Sequence, residues 1–147
     1  MNRSDYTDDW EDNNWDLIRY RGAVTSAIRG RRGQAFLREL RDALDAMPEK
    51  VLIADELINE DGDFCALGVV GARRGIDLKV LDPEDYYELA KVFGISKSLV
   101  REIEFENDDD WYHGCTPEKR WTYMRRWVER QIINGQENES APKPDAS

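Results

Sequence analysis

Six carboxylates fall within nine residues: Glu102, Glu104, Glu106, Asp108, Asp109 and Asp110. Over residues 81–110, ten acids face three bases, a local charge of −7. Carboxylates at this density suit the docking of a cationic partner surface, where complementary charge sets specificity and encounter rate. A pair of them could also serve as acid and base in glycoside chemistry, but no two are set apart by their neighbours in the chain. His113, Cys115 and Asp110 lie close together, with Cys65 far upstream. Zinc takes four ligands, usually from paired Cys or His motifs, so one His-x-Cys pair and a distant thiol do not predict a metal centre. Asn59-Glu60-Asp61-Gly62-Asp63 has the composition of a calcium loop. Its spacing is wrong, because Gly68 and Val69 stand where the closing glutamate belongs. Cys65 reads as a small core residue. The sequence therefore predicts neither an enzyme nor a cofactor.

Two sets of basic residues point another way. Arg29, Arg31 and Arg32 surround Gly30 just ahead of a helical pattern, where guanidinium groups and free backbone amides could hold a phosphate or carboxylate. No Gly-Lys-Ser/Thr follows, so this is not a P-loop. Lys97, Ser98 and Arg101 open a second helical pattern. Leu89-Ala90, Phe93-Gly94-Ile95, Val100 and Ile103 give that region the spacing of a helix-turn-helix, with a small residue at the crossing and a glycine at the turn. Its second helix would read a major groove. Duplex DNA carries one negative charge per about 1.7 Å, and this helix runs straight into the six acids. The expectation is a packed helical corner, with DNA reading as the alternative. Lys119, Arg120, Arg125, Arg126 and Arg130 share the last helical pattern with Trp121 and Trp127, whose spacing fits a core.

The 147 residues suffice for one domain. Acids outnumber bases 31 to 21, giving −10 overall, and 40% of residues are hydrophobic. Two cysteines cannot staple a secreted scaffold. No apolar run approaches the ~20 residues of a membrane span, and residues 1–14 lack the features of a signal peptide. Charge comes in blocks: residues 17–41 hold seven arginines against Glu39, whereas 42–70 hold eight acids against Lys50. Such blocks are expected to neutralise one another partly in the fold.

The elements that must position these groups read as helices. Residues 1–14 are acidic and poor in aliphatics, predicting a disordered start; 134–147, with Pro142 and Pro144, predict a disordered tail. Between them, 15–133 form one helical domain. Asn14 is the expected cap of a helix to Arg29 that buries Trp15, Ile18, Val24, Ala27 and Ile28. Gly30-Arg31-Arg32-Gly33 breaks the chain before a helix over 34–47, built on Phe36, Leu37, Leu40, Ala43, Leu44 and Met47. Residues 50–54 could be a strand, and Asp61-Gly62 marks a turn. Residues 64–74 are open between helix and strand, with a helix capped by Asp63 favoured. Asp82-Pro83-Glu84 predicts a helix to Phe93, Ser96 caps one to Asn107, and Thr116-Pro117 starts one reaching Ile133. The fold class is all-α: five to six short helices in a compact bundle, with room for one short β-hairpin.

The runs Arg21-Gly22-Ala23-Val24, Ala27-Ile28-Arg29-Gly30, Arg32-Gly33-Gln34-Ala35-Phe36-Leu37, Cys65-Ala66-Leu67-Gly68-Val69-Val70-Gly71 and Phe93-Gly94-Ile95 resemble a group of small bacteriophage and prophage proteins. Glu106-Asn107-Asp108 and the segment from Trp121 to Val128 share the likeness. That group carries no assigned activity, so the resemblance implies a viral accessory setting, in the host bacterial cytoplasm, and no catalytic residues. The combined expectation is a non-enzymatic acidic protein that docks on a host or defence protein with a basic surface, an anti-CRISPR-like inhibitor for example. A DNA-binding regulator is the alternative. No membrane partner is expected, and a homodimer is left open.

Overall fold

The computed structural model describes residues 2–109 and 115–133, the side chains from Trp15 onward. The expected all-α architecture is present, with six helices among the described residues: α1 (Asn2–Arg29), α2 (Arg31–Ala46), α3 (Ala66–Arg73), α4 (Tyr86–Phe93), α5 (Lys97–Asp108) and α6 (Pro117–Gln131). A 3₁₀ turn, Leu78–Val80, joins α3 to α4. The core lies where α2, α3, α5 and α6 converge, around Leu37, Leu40, Leu44, Leu52, Leu67, Leu99, Ile103 and Met124. Their three- and four-residue spacing along each helix turns one stripe inward. No described helix is long and apolar enough to cross a membrane.

Three boundaries agree with the sequence. Ser96 Oγ accepts from Leu99 N at 3.1 Å and opens α5. Thr116 Oγ1 accepts from Lys119 N at 3.2 Å with Pro117 in the first turn of α6. Gly94 closes α4 at φ 74°, a left-handed turn where any side chain would be strained. Ser96→Ala removes the cap of α5 and should cost about 1 kcal/mol in a urea melt followed by circular dichroism.

Several boundaries differ, each for a local reason. The expected break at residue 14 has no counterpart in the backbone, and Asn14 lies inside α1 instead of capping it. No proline interrupts residues 2–29, and a nucleated helix propagates at one hydrogen bond per residue. Trp15 and Ile18 are not core but 59% and 51% exposed, whereas Val24 is buried. Arg31, Arg32 and Gly33 are the first residues of α2, not a loop, and Gly30 alone links the two helices. The buried Gln34 fixes this junction: Nε2 donates to Ile28 O at 2.8 Å and Gln131 O at 3.0 Å, and Oε1 accepts from Ile133 N. The predicted tail, 134–147, lies outside the described residues.

Residues 50–54 are not a strand. Leu52 N donates to Pro117 O and Ile53 N to Phe64 O, so unrelated segments take the backbone groups a partner strand would use. The hairpin reduces to one antiparallel bridge, Ile58 to Phe64. Within it Asn59 Oδ1 accepts from Asp61 N and Asp63 N, so the calcium-like composition builds a turn. That turn occupies Asp63, and α3 is capped by Cys65, whose Sγ accepts from Gly68 N at 3.4 Å. α4 begins three residues later than predicted. Asp82 Oδ1 accepts from Glu84 N in a turn led by Pro83, and Asp85 caps the helix through Glu88 N. Asp-Pro suits a turn and a helix start equally, because Pro fixes the same φ in both.

Opposite charge blocks meet as expected at Arg125 and Asp45, whereas Arg74 reaches the lone acid of a basic block. Arg74 forks onto Glu39 at 2.7 and 2.9 Å, and Arg125 onto Asp45 at 2.7 and 3.0 Å.

Candidate functional site

At 100° per residue, the alternating acids of α5 cannot share one stripe. Leu99, Val100, Ile103 and Asn107 take the buried face. Glu102, Glu106 and Asp109 then form one rail of carboxylates and Glu104 and Asp108 another, with Arg101 and Phe105 between them on the outer side. Asn107 anchors the C-terminal end. Its Oδ1 accepts from Ala66 N at 3.0 Å, and its Nδ2 donates to Ile53 O at 2.9 Å and Asp108 Oδ1 at 2.8 Å. Arg120 Nη1 donates to its carbonyl from α6.

α1 lies along α5 and closes one side of a groove of about 950 Å³. Leu17, Tyr20 and Arg21 line it from α1, and Tyr86 from α4. Five of the six sequence-predicted acids line it too: Glu102, Glu104, Glu106, Asp108 and Asp109. Asp110 lies outside the described residues. Leu17 and Phe105 supply apolar surface, 50% and 59% exposed. Phe105, Leu17, Tyr20, Tyr86 and Tyr123 were not singled out from sequence. Leu17, Tyr20, Arg21, Val24 and Ile28 keep helical spacing, a signal for the inner face of α1 that the apolar Trp15 and Ile18 on the other side obscure.

Tyrosines hold the first rail. Tyr20 OH donates to Glu102 Oε1 at 3.2 Å, and Tyr123 OH donates to Glu106 Oε1. Glu106 is held above its ordinary range by burial, and further by Glu102, one turn back. Tyr20 and Tyr123 are raised by burial and by their carboxylate partners. On the second rail, burial pushes Glu104 up to about 8, helped by Asp108, Glu84 and Asp82. One of its oxygens is enclosed with no hydrogen-bond donor. Asp108 is raised by burial, although Asn107 and the Asp55 N–H, 3.1 Å from its Oδ1, oppose this. At neutral pH the groove therefore keeps its protons unevenly, with Glu104 largely neutral.

The chemistry available here is attraction of cations. Arg101 already shows the mode: its guanidinium lies 5.1 Å from the Tyr20 ring and 6.0 Å from the Tyr86 ring, beside the carboxylates. Cys65 is buried beneath the second rail, and burial lifts its thiol to about 12, so it stays protonated in its capping role. Among the described residues no three His, Cys, Asp or Glu side chains converge on a metal position. Cys115 stands apart from Cys65, and His113 lies outside the described residues.

The alternative, nucleic-acid set divides. Arg101 belongs to the acidic groove. Ser98 Oγ pairs with Ser96 Oγ at 3.2 Å. Arg29 and Arg31 are exposed where α1 meets α2, and neither lines a described depression with Lys97. Arg32 and Lys97 do come together, at the α4–α5 corner, with Tyr87 and Lys91, which sequence reasoning missed. Set beside family models, curated proteins and solved structures, the chain matches none.

Proposed function

We propose that this is a phage-borne, non-enzymatic binding protein that docks on a basic surface of a host or defence protein through the α1–α5 groove. The observation that carries this reading is the groove's composition. Two carboxylate rails flank exposed Phe105 and face Leu17. Charge steers and orients a partner, and an apolar strip contributes binding energy once water is excluded. The occupant that fits is an amphipathic segment with Arg or Lys flanking an apolar ridge. A partner whose basic surface normally holds nucleic acid would be blocked by such docking. The viral setting rests on the sequence resemblance.

The duplex-reading alternative is the weaker one. Arg101 is stacked on two tyrosines inside an acidic groove, one turn along α5 from Lys97, and beyond Arg101 the proposed reader helix offers a duplex little besides carboxylates.

The test uses Glu102→Gln, Glu106→Gln and Asp109→Asn together, which removes charge while keeping a hydrogen-bond acceptor for Tyr20 and Tyr123. A labelled Leu/Arg amphipathic peptide should bind the wild type in anisotropy titrations and bind the triple variant about tenfold more weakly or worse. Phe105→Ser should add a further loss that salt does not alter. The wild type, but not the triple variant, should retain a specific protein from nuclease-treated host lysate. Equal peptide affinity for wild type and variant would reject the groove as the docking site.

A further inference from the structure

The corner between α4 and α5 carries a second, oppositely charged feature. Arg32 from α2, Lys91 from α4 and Lys97 from the start of α5 line one depression of about 380 Å³ with Tyr87 and Ile95. That volume lies within the ~300–1,000 Å³ of small-ligand sites. No carboxylate lines it. Acids outnumber bases 31 to 21 here, and Arg19, Arg74 and Arg125 all have carboxylate partners within 3 Å. None of Arg32, Lys91 and Lys97 has one among the described residues. Intramolecular compensation therefore does not account for three cations from three elements meeting in one place. Tyr87 is 69% exposed, and Lys91 Nζ lies over its ring, 5.5 Å from the centroid, which sets a cation on one face of an exposed aromatic ring.

We infer that this corner is a binding site for a phosphate-bearing nucleotide unit, with the phosphate on Arg32, Lys91 and Lys97 and the base against Tyr87. Cations beside an aromatic ring are the elements of single-strand recognition, in which a stacked base contributes about 1–3 kcal/mol. An acidic peptide would use the cations but gain nothing from the electron-rich ring face. A duplex would extend over the rest of α5 and meet the carboxylate rails. A free nucleotide and the end or bend of a single strand share the recognised chemistry.

Four exposed side chains make the test safe for the fold. A labelled thymidine oligonucleotide of about 12 residues is titrated by anisotropy at about 50 mM salt. The wild type binds. Arg32→Glu with Lys97→Glu weakens binding tenfold or more, Tyr87→Ala weakens it severalfold, and Lys79→Glu, an exposed base elsewhere, leaves it within twofold. A nucleoside monophosphate competes better than inorganic phosphate. Competition at equal concentration by the mononucleotide assigns the site to free nucleotides; competition by the strand alone assigns it to a single strand. The groove variant described above binds the oligonucleotide at least as well as wild type, so failure of one site is read separately from failure of the other. No binding at low salt, equal binding by the Arg32/Lys97 variant, or equal displacement by polyglutamate would overturn the inference.

Discussion

Gly68→Ala should abolish the folded state or cost at least about 3 kcal/mol, read as a lost or strongly shifted thermal transition by circular dichroism. A Cβ at this position would lie 2.0 Å from Leu57 O and 3.1 Å from Leu57 C, which are backbone atoms with no rotamer to give way. Leu57 O is already engaged, accepting from Cys65 N, and Cys65 caps α3 through the N–H of Gly68 itself. Relief would push α3 off the 50–64 segment and open the core at Leu57, Cys65 and Leu67. Gly33→Ala should behave alike, since its Cβ would lie 1.8 Å from Ala27 O at the α1–α2 junction. Two other glycines calibrate the claim. At Gly71 the nearest atom, 2.6 Å away, is Leu78 Cδ2, the movable end of a side chain, so alanine should cost distinctly less. At Gly22 nothing lies within 4 Å, so alanine should stabilise α1 by about 0.5–1 kcal/mol. A Gly68→Ala protein that melts like wild type would mean that α3 does not pack as described.

These glycines show what the sequence could and could not convey. Gly68 and Gly71 leave room for a neighbour, but whether a backbone or a side chain fills it depends on tertiary pairing. The interior of α2, the Ser96 and Thr116 caps and the Gly94 turn are local effects, so composition and period suffice for them. In the first helix only part of the expected face packs: Val24, Ala27 and Ile28 turn inward, whereas Trp15 and Ile18, at 100° per residue, fall on the opposite side. The caps of α3 and α4 misled because neighbouring turns intervene: the Asn59 turn engages the Asp63 backbone, so Cys65 caps α3, and the Pro83 turn takes the Asp82 side chain, so Asp85 caps α4. The acid run was legible as charge. Its division into two rails followed from helical geometry once α5 was placed. The enclosure of the second rail by the Pro83 turn and the Asp55 segment could not be read from the chain alone. The same holds for the cationic corner, where the Arg32 and Lys97 of two separate motifs meet beside a tyrosine that neither motif contains.

Glu104→Gln should stabilise the protein at alkaline pH and leave it unchanged near pH 5. In the folded chain Glu104 is raised from its ordinary 4.5 to about 8, chiefly by burial and then by Asp108, Glu84 and Asp82. A raised carboxyl binds its proton more tightly when folded. Its contribution is therefore complete below about pH 4.5 and is lost as pH climbs through about 8. The full shift corresponds to about 5 kcal/mol; for a half-buried carboxyl, solvent screening reduces the net effect to ~2 kcal/mol. Glu106 and Asp108, also raised, add to the same slope. Glu39 and Asp45 act in the opposite sense: Arg74 and Arg125 hold them low, so their contribution is lost only in more acidic solution. Urea midpoints measured across this range should fall for the wild type between about pH 5 and 9 and fall less steeply for Glu104→Gln, the two curves meeting at the acid end. Parallel curves would place Glu104 in water, leave the second rail fully ionised, and remove the distinction between a rail that holds its proton and a rail that meets the partner's charge.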